Sequence, residues 1–169
     1  MFVLGVDPGL SRCGYAVLEP RSRARAYAHA LGVIRTSPDD PVEQRLHELQ
    51  TEMRNLIAEY RPVILCLERI FFQNNVRTAV AVAQASGVIL AEAVAQGLAV
   101  VQYSPSEVKS VVAGDGRAEK EQIQIMVQSL LGLEQRPRPA DAADAAALAL
   151  CHLAYDPQLR GITGLGALR

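Results

Sequence analysis

The sequence predicts a single domain of strands and helices, of α/β or α+β class, and two stretches carry that prediction. In residues 1–18, MFVLGVDPGLSRCGYAVL, an apolar run from Phe2 to Val6 stops at Asp7, turns at Pro8 and Gly9, and returns through Tyr15 to Leu18 as a second strand. Further on, Val63 to Leu67 is an unbroken apolar run of strand length, the pattern of a parallel, central strand buried on both faces, and it also ends in an acid, Glu68. With 169 residues, 50% of them apolar, the chain can bury one sizeable core.

Between these stretches, Arg21, Arg23 and Arg25 mark a hairpin tip and Ala26 to Ile34 a third strand. From Pro41 to Tyr60, Val42, Leu46, Leu49, Met53, Leu56, Ile57 and Tyr60 recur at three- and four-residue steps, which makes an amphipathic helix opened by a proline. After Glu68 comes a polar loop holding Phe71, Phe72, Asn74 and Asn75, where an exposed ring could stack on an unpaired base. Val76 to Gln96 is a second long helix with no charge between Ala79 and Ala91. Val76, Val80, Ala83, Gly87, Leu90 and Val94 share one face, and Val82, Ala85 and Ile89 lie towards another. Apolar nearly all round, it is expected to pack on the sheet and on a second subunit.

Leu98 to Tyr103 reads as a fifth strand, followed by a helix capped at Ser104 with Glu107 three residues on and carrying Lys109. Ala118 to Leu131 is a further helix, with Lys120 in a first turn where the helix dipole disfavours a cation. The last helix opens at Asp141-Ala142-Ala143-Asp144 and runs to about Tyr155, its two acids on one face. Residues 156–169 lack periodicity and are expected to form a flexible tail behind a domain of residues 1–155.

Composition narrows the function. A net charge of −1 argues against indiscriminate coating of nucleic acid, while leaving room for a local basic face. Cys13, Cys66 and Cys151 are widely spaced among apolar neighbours, and the three histidines share no ligand spacing, so neither a disulfide framework nor a zinc site is expected. No stretch reaches the roughly 18 apolar residues of a membrane span, and the N-terminus has no signal pattern, so a cytoplasmic location is expected. Of 17 basic residues only Lys109 and Lys120 are lysines, which singles them out.

Four acids stand at element ends: Asp7, Glu68, Asp141 and Asp144. Each has an ordinary structural reading, since Asp before Pro-Gly makes turns and acids in a first helical turn cap it. If the first and fourth strands are parallel neighbours, however, Asp7 and Glu68 lie on lines about 4.8 Å apart, and like charges that close call for a proton or a cation. Hard oxygen ligands suit Mg²⁺ or Mn²⁺, and a pair of such ions is the arrangement used for in-line displacement at a phosphodiester.

The segments GVDPGLSRCGYAV, CLERIFFQNN, PSEVKSVVAGDGRAEKEQI and DAADAAALALCH together resemble the RuvC family of Holliday-junction resolvases over about residues 1–155. That resemblance implies an α/β, ribonuclease H-like fold with a five-stranded mixed sheet flanked by helices. It also implies a homodimer that nicks two strands of like polarity in four-way junction DNA, with RuvA–RuvB as partner. Carried over position by position, it implies Asp7, Glu68, Asp141 and Asp144 as catalytic metal ligands for Mg²⁺ or Mn²⁺, two ions per site, and Lys120 as a catalytic charge partner. Phe71, with Phe72 beside it, Asn75, Arg77, Lys109 and Lys120 are the expected DNA contacts. Three rivals are a noncatalytic junction-binding scaffold, an actin-like ATPase, which would need a second domain, and a YqgF-type nuclease of RNA metabolism.

Overall fold

The computed structural model of the chain describes residues 1–21, 25–70 and 76–155. Five strands, β1 (Val3–Asp7), β2 (Arg12–Arg21), β3 (Arg25–Arg35), β4 (Ile64–Glu68) and β5 (Ala99–Tyr103), form one sheet in the order β3-β2-β1-β4-β5. The first three pair antiparallel, while β4 and β5 run parallel to β1, which makes the sheet mixed. The helices that return the chain for these parallel pairings are α1 (Val42–Tyr60), between β3 and β4, and α2 (Val76–Ala95), between β4 and β5. Then follow α3 (Pro105–Ala113), α4 (Lys120–Leu131) and α5 (Ala140–Tyr155).

Side-chain alternation along β1 and β4 sorts the core into two layers. Leu4, Val6, Leu65 and Leu67 face Leu49, Met53 and Ile57 of α1 and Ala85, Ile89 and Ala93 of α2. Val3, Ala16 and Cys66 face the other way, against α3, α4 and the alanine-rich α5. Small residues allow α5 to lie almost on the backbone of β1: a Cβ on Gly5 would fall 2.0 Å from the Ala145 carbonyl oxygen. That close approach fixes where α5 starts relative to the strand ends.

Most predicted elements hold, with two differences. The β2–β3 hairpin is longer than its apolar runs, because the paired strands carry each other past Leu18, with a register shift between Val17 and Leu18. α4 starts at Lys120 rather than Ala118, because Glu119 caps it in a reciprocal box with Gln122, leaving Ala118 in the preceding turn. The cysteines are free and buried, as expected of core residues. Among the described residues no helix is long and apolar enough to cross a membrane.

The α1–α2 seam is locked by one acid. Glu92 is 2% exposed and accepts from Arg54 Nε and Nη2 at 2.8 Å each, and from Gln50 and Gln96. The Arg54 fork holds its carboxyl down at about 2. Arg54→Ala strands this carboxylate with amides alone and is expected to lower the urea midpoint of unfolding. Because the folded-state value is depressed, this stabilisation is complete above the ordinary glutamate range and fades as pH falls towards about 2. A flat acid limb in the wild-type stability profile would contradict it.

Candidate active site

Asp7 is the last residue of β1, and the parallel register pairing Val6 with Leu67 brings Glu68, the last residue of β4, alongside it. On its other side Asp7 pairs across the ladder with Gly14 of β2. Gly14 is where α5 arrives: a Cβ there would sit 2.1 Å from the Asp141 carbonyl oxygen. A larger residue would hold the first turn of α5 away from the strand ends. Gly14 therefore brings the pair Asp141 and Asp144 to the pair Asp7 and Glu68.

The four carboxylates feel one another. Burial pushes Asp7 up to about 7, and Asp144, Glu68 and Asp141 add repulsion that Lys120 only partly offsets. Burial likewise raises Glu68, with Asp144 adding to it and the Lys120 and Lys109 ammonium groups opposing. Asp141 goes the other way: burial would raise it, but the hydrogen bond from Arg12 prevails and lowers it. Arg12 donates from Nε at 3.1 Å and from Nη2 at 2.5 Å to the same Asp141 oxygen. Lys120 Nζ stands 2.6 Å from Asp144 Oδ2, and that contact raises the lysine.

Two acids of the cluster thus hold a cation of the protein's own, and among the described residues Asp7 and Glu68 have no ion-pair partner. As the side chains stand, no three metal-ligating groups among the described residues close on one point. Arg12 and Lys120 stand as the counter-charge to Asp141 and Asp144. The donor chemistry fits a hard divalent cation: carboxylate oxygens only, buried and crowded enough that one is forced towards its neutral form.

The loop behind Asp7 is rigidly held. Buried Arg45 of α1 donates to Thr36 Oγ1 at 2.9 Å and to Ser11 Oγ at 2.5 Å, and Thr36 Oγ1 donates to the Leu10 carbonyl at 2.6 Å. Neither Arg12 nor Arg45 stands out in the sequence. The one available signal for Arg12 is its place on the returning strand, at the Asp7 end of the hairpin.

A mixed sheet in this order, with carboxylates delivered at the ends of β1 and β4 and by the first turn of a helix lying across it, is the plan of a ribonuclease H-like nuclease. The family model described as crossover junction endodeoxyribonuclease RuvC matches residues 3–152. The chain belongs to the RuvC family. It is 46% identical over 166 residues to the RuvC of Leifsonia xyli subsp. xyli, covering 98% of this chain and 79% of that one. To the RuvC of Salinispora arenicola it is 49% identical over 153 residues, covering 90% and 87%. The structure of Thermus thermophilus RuvC in complex with Holliday junction substrate superposes with a TM-score of 0.87 at 35% identity, over 92% of this chain and 94% of that one.

Of the residues expected at the site, the structure brings together Asp7, Glu68, Asp141, Asp144 and Lys120, and sets Lys109 of α3 near enough to act on Glu68. Phe71, Phe72 and Asn75 lie outside the described residues, and Arg77 falls in the first turn of α2.

Proposed function

We propose that this chain is a structure-selective endonuclease that resolves four-way DNA junctions, nicking two strands of like polarity symmetrically in homologous recombination and repair. The observation that carries the reading is the convergence of four carboxylates at the ends of β1, β4 and the start of α5, where burial first and then its acidic neighbours push Asp7 to about 7. The related T. thermophilus RuvC, solved with Holliday junction substrate, supports the choice of DNA. One domain, residues 1–155, carries the activity; the expected tail, residues 156–169, lies outside the described residues.

Asp7, Glu68, Asp141 and Asp144 hold the divalent cations in this reading, Mg²⁺ or Mn²⁺ and two per site. When bound, such ions supply an activated water and charge stabilisation for the departing 3′ oxygen, leaving a 5′-phosphate and a 3′-hydroxyl. Lys120, released from Asp144, turns its ammonium to the scissile phosphate and balances the charge that develops there. Lys109, Arg77, Asn75 and the Phe71–Phe72 pair contact the DNA, the rings against opened bases. Two sites are needed for symmetric nicks, and a homodimer through α2 supplies them: Val80 and Val94 on its outer face are 49% and 66% exposed, with Gly87 between them. RuvA–RuvB delivers the junction.

The test is incubation of a mobile synthetic four-way junction with Mg²⁺, with Mn²⁺ or with neither, beside linear duplex. Paired symmetric nicks that require the metal are expected. Tight junction binding with no nicking under any ion would replace the nuclease by a scaffold. Lys120→Ala is expected to slow single-turnover nicking about a hundredfold with little change in junction affinity. A wild-type rate would remove Lys120 from the chemistry.

A further inference from the structure

A second concavity adjoins the carboxylate cluster. Arg35, Arg136 and Arg138, with Gln124, Pro137 and Ala140, line an open groove of about 620 Å³. Two links tie it to the site. Ala140 immediately precedes Asp141 in α5, and Arg35 is the cross-strand partner of Arg12, whose guanidinium holds Asp141. Directly opposed residues on paired strands lie about 5 Å apart, so one side of the groove begins a single residue pair from the cluster.

Its charge is unusual for a chain with a net charge of −1. Arg136 is tied to the exposed Glu121 carboxylate at 2.8 Å, but among the described residues Arg35 and Arg138 have no acidic partner. Guanidinium groups gathered at one groove repel one another unless an anion lies between them. The planar fork of each matches two oxygens of a phosphate. Arg138 also stands between two prolines, one of them buried, which restrict the backbone presenting it.

We propose that this groove binds a backbone phosphate of the DNA strand that passes through the carboxylate site, with Arg35 and Arg138 as its ligands and Arg136 as a wall fixed by Glu121. This rests on the nuclease reading above, because a polymer carrying successive phosphates can occupy the cluster and the groove together. The groove sets the strand's direction past the cluster, so it contributes to binding and register rather than to the chemical step.

The test measures metal-free binding of four-way junction DNA across a salt series for wild type, for Arg35→Gln with Arg138→Gln, and for Arg21→Gln with Arg61→Gln. The last pair removes the same charge at the opposite end of the sheet. Each phosphate contact contributes about 0.9 to the slope of log affinity against log salt. The groove variant is expected to lose about 1 from that slope and about tenfold in affinity at low salt, with its melting temperature unchanged; the control is expected to lose far less. An unchanged slope, or an equal loss in the control, overturns the proposal. So does saturable binding of inorganic phosphate to wild type but not to the groove variant, with junction binding unaltered, since the groove would then serve a small anion. Wild-type nicking with an unaltered slope in the variant sinks the groove alone, whereas wild type that neither binds nor nicks the junction overturns both readings.

Discussion

Asp7→Asn is expected to reduce metal-dependent junction nicking by more than about a thousandfold and, in the same protein without metal, to raise stability above pH 7. The first effect follows from position. Asp7 is the acid that borders both Glu68, through the β1–β4 register, and α5, through Gly14. Removing a single group aimed at developing charge typically costs 10²–10³ in rate, and here the group also serves to gather the ions. The second effect follows from the burial of Asp7, to which the neighbouring carboxylates add repulsion. In the unfolded chain Asp7 ionises near 3.8, whereas in the folded protein it holds its proton to about 7. The folded state therefore binds more protons across that interval, and stability falls as pH rises through it. Above about 7 the penalty is constant, on the order of a few kcal/mol. Asparagine keeps the shape and removes the charge, so the variant escapes the penalty. A divalent cation should offset it in wild type and do much less in the variant. Urea titrations at pH 5 and pH 8, with and without Mg²⁺, read all of this. An Asp7→Asn protein no more stable than wild type at pH 8 would mean that burial and neighbouring charge put no such penalty on Asp7.

Much of this site is legible in the sequence because its acids sit where local patterns break. β1 and β4 are read from apolar runs, and each run stops at a carboxylate; α5 is read from its composition, and its acids fall in the first turn. The expected parallel pairing of β1 with β4 then requires Asp7 and Glu68 to meet. What escapes such reading is contact across sequence distance. Arg12 reaches Asp141 over 129 positions, and its place on the returning strand does not tell which acid it meets. The capping of α4 by Glu119 is missed for a different reason: Ala118 continues the helical composition, and only the reciprocal bonds with Gln122 show that it stands outside. The groove arginines lie in a segment with no periodicity, between α4 and α5, and on the last residue of β3; only the folded chain shows that these are neighbours.

Gly5→Ala is the substitution expected to destabilise the fold most for the least added matter. The new Cβ would meet the Ala145 carbonyl oxygen at 2.0 Å, the Ala149 nitrogen at 3.0 Å and the Ala145 carbonyl carbon at 3.1 Å. All three are backbone atoms of α5, so no side chain can rotate away, and relief requires the helix to lift from β1. Overpacking a core by a methylene usually costs about 1–3 kcal/mol, with the upper end or beyond reached when backbone must move. Here the displaced element is α5, which is buried along nearly its whole length and carries Asp141 and Asp144 in its first turn. A loss of about 3 kcal/mol or more is therefore expected, together with slower nicking by whatever fraction remains folded. Normalising the single-turnover rate to folded protein, measured by circular dichroism at the assay temperature, separates the two effects. A normalised rate at the wild-type level would show that Asp141 and Asp144 keep their places when α5 moves, and that the contact at Gly14, rather than the one at Gly5, sets the position of the helix start.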